Sequence, residues 1–320
     1  MKIVIAGGSG FLGRALARSL SGAGREVVVL SRSPAPGLPW RTAVWDAMSP
    51  GPWMAEIDGA DAVINLAGRT VNCRYSAAHR RQIVDSRTRS TRVIGEAIAR
   101  ASRPPSLWLQ AATATIYAHR YDTANDETSG IIPDTEPGVP ETWNFSTGVA
   151  RTWEKALADA DAPRTRKVAL RIGIVMGAEP GTAFDVLLGL VRRGLGGRAG
   201  DGRQFVSWIH EDDFVAAIGW LIEHPEISGP VNIVSPGPVP NAAFMRELRR
   251  AWGVRFGLPA ARWMLEIGAF FLRTETELVL KSRRVVPGRL LESGFAFKFP
   301  DWPAAAADLC ARWRLKRTSA

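Results

Sequence analysis

The residues Gly7-Gly8-Ser9-Gly10-Phe11-Leu12-Gly13 follow a short β-rich run, Lys2–Ala6. They open a stretch whose apolar residues Leu12, Ala15, Leu16 and Leu20 recur at helical spacing. Between a strand and a helix, glycines let backbone N–H groups close on a pyrophosphate, and the helix N-terminus adds partial positive charge. Gly7, Ser9, Gly10, Phe11, Leu12 and Gly13 are therefore expected to cradle a dinucleotide. The next apolar run, Glu26–Ser31, ends in Arg32, and no Asp or Glu lies between Val27 and Trp45. A carboxylate there would hold the free hydroxyls of an adenine ribose, whereas arginine favours a 2′-phosphate. A charge-assisted hydrogen bond of about 1.5–3 kcal/mol from Arg32 would favour NADP(H) over NAD(H) by roughly ten- to a hundredfold. A further run, Asp61–Leu66, leads into Asn65-Leu66-Ala67-Gly68. Small residues at a strand's carboxyl end let a cofactor cross the sheet edge, which brings Leu66, Ala67 and Gly68 into the cofactor set.

Such residues need a scaffold that brings strand ends together. Ser76–Arg100 reads as a long amphipathic helix, Leu107–Ala112 as a strand, Ser146–Ala160 as a helix and Lys167–Ile172 as a strand. Apolar runs that are continuous rather than alternating imply strands buried on both faces, and alternation with helices implies right-handed parallel crossovers. The expected fold is α/β: a Rossmann-like, doubly wound parallel sheet with a smaller mixed C-terminal substrate lobe. Residues 1–176 form the NADP-binding domain, with the 205–235 segment packing on it, and residues 177–320 form the substrate-side lobe. In that lobe Gly181–Gly202 is rich in glycine and arginine, and Phe205–Ile209 and Val231–Val234 read as strands. Glu211–Glu223, Asn241–Trp252, Pro259–Leu272 and Glu275–Arg284 read as helices, and Gly294–Pro300 as a short surface strand or hook.

Composition narrows the function classes. Of 320 residues, 46% are hydrophobic and 22% charged, as in a packed soluble protein. Two cysteines, Cys73 and Cys310, suit a reducing compartment and cannot build a thiolate zinc site, and four dispersed histidines do not suggest a metal centre. The longest apolar run, Phe214–Ile222, is half the length of a membrane span, and no signal peptide is evident, so a cytoplasmic location is expected. The net charge of +10 is concentrated in residues 246–320, which hold fifteen basic and seven acidic residues. No basic run interleaves with aromatics, so a solvated basic face or small anionic ligands explain the charge better than nucleic acid does. Trp263, Phe270 and Phe271 share helical spacing and read as core or as the face of a homodimer.

Taken together, Gly7–Gly13 (in the GxxGxxG form), Val63–Gly68, Asp85–Thr91, Ala169–Gly177, Gly202–Phe214 and Val285–Pro300 resemble the extended short-chain dehydrogenase/reductase superfamily. More closely, they resemble its SulA-like epimerase family, the 39U group. The last stretch is similar to that group's short C-terminal domain, here at about 270–316. The resemblance implies an NADP(H)-dependent oxidoreductase or epimerase-like activity on a small molecule. It assigns Thr113 as the substrate-polarising hydroxyl at the end of Ala112-Thr113-Ala114-Thr115-Ile116-Tyr117, with Ala112 beside the cofactor. It also implies substrate contacts from Arg69 and Arg74, and from Gln204 and Trp208 next to Arg203.

The superfamily's acid/base is a Tyr-x-x-x-Lys dyad, and this chain has none. Its three tyrosines, Tyr75, Tyr117 and Tyr121, are followed four residues later by His79, Tyr121 and Asn125, and the expected dyad positions hold Ser146 and Ala150. Tyr117 and His210 are the leading substitutes for the acid, with Tyr121 and His119 behind them. A histidine suits proton transfer near neutrality. The alternative is a non-catalytic NADP-binding sensor or scaffold.

Overall fold

In the strand Lys2–Ala6 (β1), Ile3 and Ile5 enter one hydrophobic core while Val4 and Ala6 enter another. The side-chain period of two sends alternate residues to opposite faces, so a strand covered on both sides must be apolar throughout. Glu26–Ser31 (β2), Ala62–Asn65 (β4), Leu107–Thr113 (β5) and Arg166–Ile172 (β6) follow the same rule. The computed structural model describes residues 1–22, 24–33, 37–271 and 275–318, the side chains of 267–271, 278 and 318 excepted. With Arg41–Val44 (β3) and Gly229–Ile233 (β10), these strands form a seven-stranded sheet of order β10-β6-β5-β4-β1-β2-β3, parallel throughout. The order runs outward in both directions from β1 and β4. Their carboxyl ends therefore flank the crevice where an open α/β sheet holds its ligand.

One face carries Phe11–Leu20 (α1) and Glu211–Glu223 (α5), and the other carries Ala77–Arg100 (α2) and Glu141–Ala158 (α3). The segment expected as one strand at 205–209 is two. Phe205–Val206 (β8) pairs with Val239–Pro240 (β11), and Trp208–His210 (β9) pairs with Ile174–Met176 (β7). The glycine- and arginine-rich stretch holds a helix, Ala183–Arg192 (α4), whose N-terminal Asp185 N–H donates to the Thr182 hydroxyl. Helices Asn241–Trp252 (α6) and Trp302–Thr318 (α10) close a third core with α4 around Phe184, Trp208, Phe244 and Trp302. Trp302 stacks on Phe244 with ring centroids 3.9 Å apart, meets Trp208 edge-on at 5.0 Å, and donates its Nε1–H to the Phe244 carbonyl at 2.8 Å.

The C-terminal region departs most from expectation. Arg262–Phe271 (α7) is helical, but Trp263 is 63% exposed and so is not core, and the side chains of Phe270 and Phe271 lie outside the described residues. Glu275–Arg284 is not one helix. Only Glu277–Leu280 (α8) coils, and the following residues run extended as a strap before Gly288–Glu292 (α9). Tertiary hydrogen bonds override local propensity there. Arg283 N–H donates to the Phe205 carbonyl at 2.9 Å, Asn125 N–H to the Arg284 carbonyl at 2.7 Å, and Val286 N–H to the Asn125 carbonyl at 2.9 Å. Gly294–Pro300 forms no strand. The Asp213 carboxylate accepts from the N–H groups of Lys298 and Phe299, at 2.7 and 2.9 Å, and bends the segment into a hook.

Two predictions test this packing. Trp302→Ala removes a fully buried ring from the third core and is expected to cost about 3–5 kcal/mol in guanidinium unfolding. His210 is buried, its Nδ1 accepts from Asp212 N–H at 3.0 Å, and its Nε2 lies 3.1 Å from Asp308 Oδ2. Burial pushes its pKa down to about 4, although Asp212 and Asp308 pull the other way. Between about pH 6.5 and 4 the unfolded state therefore binds the extra proton, and this residue's contribution is lost as the pH falls, on the order of 3 kcal/mol in all. Wild type should lose stability through that window more steeply than His210→Asn, and parallel profiles would refute the assignment.

Candidate functional site

At the carboxyl end of β1 the chain turns through Gly7, whose φ of +76° suits glycine. A Cβ there would lie 3.0 Å from the backbone of Leu66 and Ala67, and one at Gly13 would lie 2.4 Å from Gly8 Cα. The elbow thus packs tightly against the turn after β4, and Gly13 meets Gly8 at a distance only glycine permits. Gly10, the N-cap of α1, has open space around it, with Gly7 O at 3.5 Å as the nearest contact for a Cβ. No side chain caps α1 and no acidic residue occupies its first turn, so its leading N–H groups face the crevice ready for an anion. Ser31 Oγ donates to Ser9 Oγ at 3.3 Å, and Arg14 Nη1 donates to the Ser9 carbonyl at 2.7 Å, fixing the elbow from two sides. Phe11 and Leu12 are half-buried under it, and Arg32 stands exposed just beyond β2. The features a dinucleotide needs are present here: a cradle that a Cβ would fill, an uncapped helix end and a cation past the second strand.

The turn after β4 is held from inside. Asn65 is fully buried, its Oδ1 accepts from Ala67 N–H at 3.0 Å, and its Nδ2 donates to Gln110 at 3.0 Å. Leu66 is half-buried, Ala67 buried and Gly68 exposed, forming the crevice floor. Arg69 is braced on α2, its N–H donating to Ser86 at 3.0 Å and its guanidinium to Gln82. Arg74 is exposed. Arg87, which the sequence reading missed, lies over the Trp153 ring at 5.0 Å, and its guanidinium is 3.6 Å from where a Gly68 Cβ would be. Burial lowers its pKa to about 10, making it a desolvated cation beside the crevice. The cavity bounded by Met1, Asp61, Ser106 and Arg164 opens at the opposite, amino-terminal ends of the strands.

Beyond β5, Ala112 is buried and Thr113 half-buried, with Thr113 Oγ1 accepting from Thr115 N–H at 3.2 Å and its own proton left to donate. Around this end gathers a polar cluster drawn from four parts of the chain: Thr115, Tyr75 of the loop after β4, Ser146 and Thr147 of α3, and Glu277, Lys281 and Arg283 of the C-terminal segment. Ser146 Oγ donates to Glu277 Oε2, and Tyr75, beside Ser146 and Glu277, has its phenol pKa raised by burial and by the Glu277 carboxylate. Lys281 Nζ donates to the Thr115 carbonyl at 3.1 Å and to Thr147 Oγ1 at 3.2 Å, and Arg283 Nε donates to Thr115 Oγ1 at 3.1 Å. Burial, with Arg283 adding to it, pushes the Lys281 ammonium down to about 8. Sequence reading missed these residues because 131 positions separate Ser146 from Glu277. Nor did composition single them out, because Glu277, Lys281 and Arg283 stand among five ionisable residues in Glu275–Arg284.

Four expected site residues lie elsewhere. The Tyr117 ring is buried, and its hydroxyl donates to Asn232 Oδ1 at 3.0 Å and accepts from Arg171 Nη1 at 2.7 Å. Arg171 in turn pairs with Glu154 at 2.8 Å, so Tyr117 belongs to a network joining β6, β10 and α3 rather than to the crevice. His210 pins α5 to α10, as described above, and both its nitrogens are engaged. The Gln204 amide donates to the carbonyls of Ala199 and Val279, at 2.9 and 3.1 Å. Trp208 is fully buried and donates to the Gly237 carbonyl at 3.0 Å. Each joins elements of the fold together. His119 does likewise, its Nδ1 accepting from Ser282 N–H at 2.7 Å, and burial lowers its pKa. Tyr121 is 39% exposed and lies against the His119 ring, with Arg203 over its own.

Comparison with known proteins bears on the fold and the family. The human epimerase family protein SDR39U1 is 31% identical over 314 residues, spanning 97% of this chain and all of the human protein. YfhF of Bacillus subtilis, another epimerase family protein, is 30% identical over 97% of this chain and 98% of its own. The crystal structure of human SDR39U1 (isoform 2) with NADPH superimposes with a TM-score of 0.84, at 30% identity, covering 97% of this chain and 99% of that one. MoeE5 in complex with UDP-glucose and NAD, 20% identical with a TM-score of 0.72 and full coverage of both chains, shares the fold. Residues 260–309 match the domain of unknown function DUF1731, and residues 3–234 match the NAD dependent epimerase/dehydratase family. With that match and its full-length relatives, the chain belongs to the NAD dependent epimerase/dehydratase family, within the extended short-chain dehydrogenase/reductases, and carries DUF1731 at its C-terminal end.

Proposed function

We propose that this protein is an NADP(H)-dependent oxidoreductase or epimerase-like enzyme of the cytoplasm, acting on a small molecule without the usual dyad. The observation that carries the reading is the pairing of the glycine elbow with Arg32, in a stretch free of carboxylates from Val27 to Trp45. The backbone N–H groups at the start of α1, with Gly7, Ser9, Gly10 and Gly13, would bind the pyrophosphate. Arg32 would meet the ribose phosphate, and Leu66, Ala67, Gly68 and Ala112 would line the route across the sheet edge. The NADPH in the human relative's structure supports the same choice. When bound, the cofactor supplies or accepts a hydride. Thr113 would donate a hydrogen bond to the reacting oxygen, and Arg69, Arg74 and Arg87 would hold an anionic part of the substrate.

The missing Tyr-x-x-x-Lys favours a second reading, a cofactor-binding sensor or scaffold that does not turn over. Losing a positioned acid/base costs about 10²–10⁴-fold in rate, which slows an enzyme without abolishing catalysis. Mixing the protein with NADPH and a panel of carbonyl compounds separates the two. Loss of nicotinamide fluorescence with any of them supports the enzyme, and tight binding without oxidation across the panel supports the sensor.

The cofactor assignment is tested by calorimetric titration of Arg32→Glu. Its NADPH affinity is expected to fall by roughly ten- to a hundredfold while NADH binding holds or improves. Unchanged affinities for both would remove Arg32 from the site.

A further inference from the structure

Where the superfamily's tyrosine is expected stands Ser146, half-buried at the crevice, and behind it lies Glu277, 1% exposed. Ser146 donates to Glu277 Oε2. The other carboxylate oxygen, Oε1, has no hydrogen-bond donor among the described residues, and Arg283 Nη2 approaches it only to 3.6 Å. A buried carboxylate that is half satisfied is costly as a permanent anion. The cost falls if the group exchanges a proton during its work. Arg283, Lys281, Glu275 and Tyr75 are the charged and titratable groups that face it. Burial raises its pKa above the usual carboxylate range, while Arg283, Ser146 and Lys281 draw it back. A carboxyl that burial holds above its usual range, with a hydroxyl donor on one oxygen only, is placed to take up and give back a proton.

We propose that Ser146 and Glu277 form the proton relay of this site, with Ser146 touching the reacting oxygen and Glu277, delivered by the C-terminal domain, holding the proton behind it. The proposal rests on the NADP(H) reading above. In the oxidising direction the O–H bond of a substrate alcohol breaks and its proton moves to Ser146 Oγ. The serine's own proton passes to Glu277 Oε2 at the same time. The C–H bond on the carbinol carbon breaks, its hydride carries two electrons to NADP⁺, and the alcohol becomes a carbonyl. Glu277 then returns its proton to water, and reduction by NADPH runs back along the same path. Ser146 is the catalytic residue in this scheme, and Glu277 is a positioning residue that acts through it.

The test counts protons rather than turnover. Calorimetry in buffers of different ionisation enthalpy measures the protons released when the full chain binds NADP⁺ and when it binds NADPH. A cationic nicotinamide beside the relay drives the proton off Glu277, and the neutral reduced ring does not. Wild type should therefore release more protons with NADP⁺ than with NADPH, and Glu277→Gln should abolish the difference. Ser146→Ala should keep the difference but move it to higher pH, because the anion loses its donor. If Glu277→Gln does not fold by circular dichroism, wild type and Ser146→Ala decide the matter. Equal release with both cofactors in wild type overturns the proposal and leaves the cofactor reading standing, as does a difference that persists in folded Glu277→Gln. If neither cofactor binds, both fall.

Discussion

The whole arrangement depends on how closely two backbones approach at the sheet's switch point. Gly7 lies so near Leu66 and Ala67 that a methyl group would sit 3.0 Å from their main chain, and Gly13 is closer still to Gly8. Side chains at these positions would push β1 and the turn after β4 apart and tilt α1 away from the crevice. With glycine there, the N-terminus of α1 stays open to anions while its other end is buried among Leu16, Ala17 and Leu20. Binding and packing are thus two consequences of one steric constraint.

From that constraint the rest of the site follows in layers. The sheet order opens the crevice, Asn65 and Gln110 stiffen its floor, and β5 brings Thr113 to its rim. The chain has no Tyr-x-x-x-Lys, and α3 carries Ser146 and Ala150 where the sequence reading expects that dyad. The C-terminal segment brings Glu277, Lys281 and Arg283 against this end of the sheet, bonded to Ser146, Thr115 and Thr147. It is held by strap hydrogen bonds to Phe205 and Asn125. The proposed relay makes that domain a wall of the site.

The glycine elbow and the buried strands were legible in the sequence because each rests on local spacing. β3 was not, since Arg41–Val44 lies at the sheet edge with only partly covered side chains and carries no buried pattern. Helix α4 was obscured by the glycines and arginines around it. Tyr117, His210, Gln204 and Trp208 were plausible site residues by type and neighbourhood. Their roles depended on partners such as Asn232, Asp308, Val279 and Gly237, which no local spacing reveals. The acidic and basic side chains around Ser146 were hidden by the same kind of sequence distance.

The most direct measurement of the central claim is the melting temperature of the unmodified protein against rising concentrations of NADPH and of NADH. A ligand that binds only the folded state raises stability by RT ln(1 + [L]/Kd). The account predicts that the melting temperature climbs with the logarithm of NADPH concentration, and that NADH needs at least about tenfold more for the same shift. A melting temperature indifferent to millimolar NADPH would contradict it.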